Sequence, residues 1–184
     1  APVISSEDRD KITLMLDRIE LDTLPPVSNE PVGFIKLNCS EEDLQAQLGT
    51  TINNLEEVGI KVVKVNSYAG GGVTIIVIGG GGEDRATIMK FVNGIALLTS
   101  KQPELRVAIG QGPVQKLKIC GRDDVVGEII NRSARLIYSK DNQLAGARII
   151  ADMSILSSVM RVGGAIVGQP EEDFVWLGAK GYAK

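Results

Sequence analysis

The order of elements along the chain predicts an α/β (α+β) fold with a ferredoxin-like βαββαβ core and an additional C-terminal helix and strands. Three observations carry that expectation. The aliphatic runs IKVVKVNS (60–67) and VTIIVI (73–78) are joined by YAGGG, whose glycines permit a tight antiparallel hairpin. A helix-type segment lies on each side of this pair, and a further aliphatic run, VGFIKLN (32–38) or LRVAI (105–109), opens or closes the set.

In chain order, residues 5–21 (SSEDRDKITLMLDRIEL) have an acidic first turn followed by Ile12, Leu14, Met15, Ile19 and Leu21 in an approximate helical stripe. Pro25, Pro26 and Pro31 stop helical structure, so residues 1–30 read as an N-terminal helix or linker and 31–184 as the domain. After the first strand, Ser40 with Glu41, Glu42 and Asp43 marks a helix start, and Gly59 marks its end. Asp84 to Leu98 is a second helix, with Ile88, Met89, Val92 and Ile95 near one face. Leu105 to Ile109 closes the core. A helix around Val126 to Ile137, a strand at Ala147 to Ile150, a short helix at Ser154 to Met160 and a strand at Phe174 to Leu177 follow.

Composition excludes several classes of function. The chain contains no histidine, which removes the usual general base, the commonest zinc ligand and every Ser-His or Cys-His nucleophile. A net charge of −3 argues against nonspecific nucleic-acid binding, and 4% aromatic residues leave few rings for base stacking. No stretch approaches the roughly 18 to 20 apolar residues of a membrane span, so no membrane insertion is expected. Cys39 and Cys120 are far apart and close to the ends of aliphatic runs, as expected of free buried thiols in a cytoplasmic protein. The first residue is Ala1 and no secretory signal is visible, which fits a processed chain or part of a longer one.

The glycine clusters do not form known phosphate loops. Neither Gly70–Gly72 nor Gly79–Gly82 is followed by the Lys-Ser or Lys-Thr pair of GxxxxGK[ST], and Glu83 and Asp84 would repel phosphate beside the second cluster. Gly110-Gln111-Gly112 lacks the third glycine of a dinucleotide fingerprint.

The polar chemistry concentrates in residues 105–138. Asn131 and Arg135 lie four apart, so on a helix they share a face, and Asp124 lies seven before Asn131. A carboxylate can read an amino group on a purine edge, an amide can orient a ribose and a guanidinium can hold a phosphate. The plainer alternative is a helix whose solvated face carries an Asn and an Arg.

The segment LRVAIGQGPVQKLKICGRDDVVGEIINRSARLIY, with Gly127, Asn131 and Arg135 in Gly-x-x-x-Asn-x-x-x-Arg spacing, resembles the second half of a class III nucleotide cyclase catalytic domain. The resemblance spans roughly residues 31–155 and implies a class III cyclase-like fold. It also implies base-reading, ribose-orienting and phosphate-stabilising roles for Asp124, Asn131 and Arg135 in a dimeric site. Such domains hold two divalent ions with two aspartates. Here Phe34-Ile35-Lys36-Leu37 puts Lys36 at the first of these positions, and the 68–72 hairpin puts glycine at the second. An ammonium cannot ligate magnesium, although Lys36 can attract a triphosphate. Lys64 is a base-reading candidate if the alignment shifts by about one residue, or an outward lysine on an alternating strand.

The expectation is therefore a catalytically inactive, degenerate cyclase-like domain with no cofactor, metal or catalytic residue of its own. Its nucleotide-binding candidates are Asp124, Asn131, Arg135 and Lys36, and its expected partners are a second copy or a cyclase-like chain, with a purine nucleotide as ligand. Two alternatives stand beside it: the non-metal half of a heterodimeric cyclase, and a ferredoxin-like interaction module with no ligand site.

Overall fold

A computed structural model describes residues 27–67, 72–80, 84–119, 121–140, 149–155, 166–167 and 174–177. Its elements, in chain order, are β1 (Ser28–Asn38), α1 (Glu41–Glu57), β2 (Lys61–Ser67), β3 (Gly72–Ile78), α2 (Arg85–Lys101), β4 (Arg106–Ile119), β5 (Arg122–Val126), α3 (Glu128–Lys140), β6 (Ile149–Asp152), β7 (Ile166–Val167) and β8 (Phe174–Leu177). The strands form one sheet in the order β2-β3-β1-β4-β6-β8-β7, with β5 paired to β4 off that path. The β2-β3-β1-β4 part is antiparallel throughout and is the predicted ferredoxin-like core. β6 then adds to β4 in parallel.

Strand alternation divides the interior into two clusters, one on each face of the sheet. On β1, Ile35 and Leu37 join Val73, Ile75 and Val77 of β3 and Phe91, Val92 and Ile95 of α2. The alternate residues Val32 and Phe34 join Ile76 and Ile78 of β3 and Ile129, Ile130 and Ile137 of α3. α1 also lies over the first cluster, through Leu55. Its start is capped by Ser40, whose hydroxyl accepts a hydrogen bond from the Asp43 amide. A buried polar network ties α1 to the end of α2: Gln102 Nε2 donates to Thr51 Oγ1 at 2.9 Å, and Asn54 Nδ2 donates to Gln102 Oε1 at 3.0 Å.

α3 packs close to β4 because three glycines make room for it. A β-carbon on Gly110 would lie 2.4 Å from Ile129 Cδ1, and one on Gly127 would lie 2.6 Å from the Pro113 carbonyl oxygen. Gly110-Gln111-Gly112 is therefore a bed for Ile129 and not part of a nucleotide fingerprint. Arg132 on α3 also meets Asp152 at the end of β6, with Nη2 2.6 Å from Oδ1. That contact pairs charges without hydrogen-bond alignment, whereas the Ser154 amide donates to the other oxygen at 2.9 Å.

Several boundaries differ from the sequence expectation. β1 begins at Ser28 and runs through Pro31, because β3 pairs with β1 only from Val32 onward and the ring interrupts no ladder on that side. β4 continues well past Ile109 to Ile119 and turns back as β5. β5 occupies residues up to Val126, so α3 starts at Glu128 and not at Val126. The strand expected at 147–150 is Ile149–Asp152, and β7 had no sequence expectation. The segment 5–21, the hairpin tip 68–71, Cys120 and most of the 154–160 helix lie outside the described residues.

Candidate functional site

The α3 face of the sheet carries the polar groups singled out above. A β-bulge brings the first pair together. In β2, Val62 pairs with Val77 while Lys64 pairs with Ile76, so Val63 is an extra residue. Val62 packs on the α1/α2 cluster and Val63 on the α3 cluster, and Lys64 stands opposite Ile76, a member of that same α3 cluster. Uninterrupted alternation would place Lys64 with Val62 on the other face.

The bulge instead aims Lys64 at β5. Its ammonium donates to both oxygens of Asp124, at 3.0 and 2.9 Å. The Val125 amide donates to Asp124 Oδ1 at 2.8 Å and holds the carboxylate in place. Both side chains are half-buried, and beside them a cleft of about 140 Å³ lies between Lys61–Val63 on one side and Lys116, Leu117, Asp123 and Asp124 on the other.

Asp124 is therefore a strand residue and not an upstream turn of the helix, so the condition under which it would continue the face of Asn131 and Arg135 is not met. Its partner is Lys64, and a one-residue bulge leaves no mark in residue type from which that pairing could be read.

α3 is sharply two-sided, burying Ile129, Ile130, Ser133, Leu136 and Ile137 and leaving Asn131, Arg135 and Tyr138 exposed. Positions 131, 135 and 138 follow the i, i+4, i+7 spacing of one face. Arg135 Nη2 donates to Glu128 Oε1 at 2.8 Å, and both side chains are about two-thirds exposed, at 66% and 68%. The Arg135 hydrogen bond is the main cause holding the Glu128 carboxyl below its ordinary pKa; desolvation is the next largest influence and opposes it, while the Arg135 charge and smaller contributions from Asn131 and Arg132 lower it further. Sequence reasoning passed over Glu128, because helical ion pairs are read at i+3 and i+4 and this one spans i+7.

Lys36 lies on β1, two residues after Phe34. Its ammonium is 5.4 Å from the centroid of the Tyr138 ring, within cation–π range, and Tyr138 meets Phe34 edge-on at 6.0 Å. Lys36 is thus attached to the helical face that bears Asn131 and Arg135. Among the described residues, no group of three or more His, Cys, Asp or Glu side chains could hold a metal ion, and no helix is long and apolar enough to cross a membrane. Of the 68–72 hairpin, where the resemblance puts the second aspartate position, residues 68–71 lie outside the described residues.

No family model and no curated protein matches the sequence. Solved structures do match. A monomeric double mutant of the guanylyl cyclase domain of the RhoGC fusion protein from the aquatic fungus Blastocladiella emersonii superposes with a TM-score of 0.59 at 16% identity, over 82% of this chain and 94% of that one. The catalytic core of a rhodopsin-guanylyl cyclase with converted specificity, in complex with ATPαS, gives 0.58 at 14% identity over 84% and 97%. The guanylate cyclase domain of RhGC from Catenaria anguillulae, in complex with GTP, gives 0.57 at 14% identity over 82% and 96%. At these identities the likeness concerns the fold, and this chain has the class III nucleotide cyclase-like fold.

Proposed function

We propose, from the class III cyclase-like fold as premise, that this chain is a catalytically inactive regulatory or dimerisation domain that binds a purine nucleotide without a divalent ion. The observation that carries the reading is one sheet face holding a Lys64–Asp124 pair and an Asn131/Arg135 helix while β1 offers Lys36 where a metal-binding aspartate would be needed.

Each group has a chemical task. Asp124 accepts a hydrogen bond from an exocyclic amino group on the purine edge, and Lys64 donates to a neighbouring ring acceptor. Asn131 orients the ribose. Arg135 takes phosphate oxygens through its planar array of donors. Lys36 adds a fixed positive charge for the phosphates but cannot polarise a 3′ hydroxyl as a bound metal does, so recognition is kept without turnover.

The ATPαS and GTP held by the structural neighbours support a purine nucleoside triphosphate as the ligand class. The cleft beside Asp124, about 140 Å³, is smaller than the roughly 300 Å³ at which small-molecule pockets begin. A second wall is needed, and a second copy of the chain supplies it, so the binding form is a homodimer.

The test is incubation of purified protein with ATP or GTP and manganese, followed by measurement of cyclic nucleotide. None is expected. Product from the chain alone would overturn the reading, and product only after mixing with another cyclase-like chain would replace it with the heterodimeric half-enzyme.

A further inference from the structure

We infer that Glu128 is an internal competitor for phosphate, occupying the Arg135 guanidinium in the ligand-free chain so that a nucleotide's phosphates bind by displacing it. The inference rests on the reading of Arg135 as a phosphate ligand and adds its regulation.

Glu128 and Arg135 are seven residues, or two turns, apart, so their contact spans about 10.5 Å of helix axis and both side chains must extend toward each other. Asn131 lies between them in the helix. One carboxylate therefore engages the guanidinium that the phosphates need. Local structure does not require this: a glutamate in the first turn is already stabilised by the helix dipole wherever its side chain points.

The clasp is also weak enough to exchange. Glu128 and Arg135 are exposed, and ion pairs of that kind contribute little. The other arginine contact on α3 is different in kind, because the carboxylate of Asp152 is 1% exposed and cannot leave without unpacking β6. A phosphate carries more charge than a carboxylate and offers more acceptor oxygens, so it can displace Glu128. An uncharged nucleoside cannot. Glu128 thus makes affinity depend on the phosphate chain.

The experiment is calorimetric titration of the full chain at low salt, without metal, using ATP and adenosine as probes. Glu128→Gln removes the competing charge. Glu128→Asp keeps that charge at the helix start but is too short to reach Arg135. Glu57→Gln removes the same charge from a remote exposed pair with Lys101 and controls for net charge. Both Glu128 variants are expected to bind ATP about fivefold more tightly than wild type, with adenosine affinity unchanged and Glu57→Gln indistinguishable from wild type. If ATP binds wild type and Glu128→Gln equally, or if Glu128→Asp behaves as wild type, the inference falls and the nucleotide reading survives. If ATP binds none of the chains, both fall together.

Discussion

The two faces of the sheet are made by the same strands and do different work. On the α1/α2 face, alternate residues of β1, β3 and β4 meet two helices in a continuous aliphatic cluster, and the buried polar groups Thr51 and Gln102 are closed into a network linking the helices. On the α3 face the same alternation builds a smaller cluster, and around it stand Lys36, Lys64, Asp124, Arg135 and Tyr138, each reaching partly into solvent. The first face is covered twice and the second once. The difference teaches that two helices secure one side of the sheet, while the other keeps its polar groups within reach of solvent.

The largest effect that would break this comparison belongs to the first face. Phe91 is fully buried between α2 and the sheet, and Phe91→Ala should cost about 3 to 5 kcal/mol in chemical denaturation. Nucleotide affinity measured well below the melting transition should be unchanged. A loss of binding there without loss of stability would show that the faces are not separable.

Next comes the bed under α3. Gly127→Ala forces a β-carbon against the Pro113 carbonyl, a backbone atom that cannot swing away, and should cost about 1 to 3 kcal/mol. Because it shifts the start of α3, it should also weaken nucleotide binding. Wild-type stability in this variant would show that the close approach of α3 to β4 is not required.

Smaller in stability but larger in binding are the exchangeable groups. Lys64→Ala should change stability by less than about 1 kcal/mol, since the pair with Asp124 is only half-buried, yet reduce purine nucleotide affinity about tenfold. Equal affinity in the variant would assign the pair to structure alone.

How much of this was legible in the sequence follows the same division. The α1/α2 face was readable because the continuous aliphatic run VTIIVI and a helical stripe at Ile88, Val92 and Ile95 both report burial, and the Ser40 cap and Gly59 end marked α1 without ambiguity. On the α3 face, Asn131 and Arg135 were legible from their spacing on a helix. The Lys64–Asp124 pair was not. It depends on a bulge at Val63 and on a hairpin that carries Asp124 back along β4, and both are properties of the ladder between strands and not of any residue type. The glycines at 110, 112 and 127 were read for nucleotides or as a motif, but their physical task is steric, and it appears only once Ile129 and Pro113 are placed against them.

The smallest effect concerns acid. The Glu128 carboxyl has a folded pKa below its ordinary value, chiefly because of Arg135. Its contribution to stability is therefore fully present above the ordinary glutamate range and is lost as pH falls through the lowered value. Wild type and Glu128→Gln should thus differ at neutral pH and converge in acid, as followed by denaturant midpoints across that range, and the difference should shrink with added salt. A gap that persisted at low pH would place the role of Glu128 in packing and not in charge.

The central claim, recognition without metal-dependent turnover, is tested most directly by calorimetric titration of the chain with ATP and then GTP, each with and without manganese, against Arg135→Ala. The account predicts binding to wild type that does not depend on manganese and is lost in Arg135→Ala. Binding that required manganese, or an Arg135→Ala variant that bound as well as wild type, would contradict it.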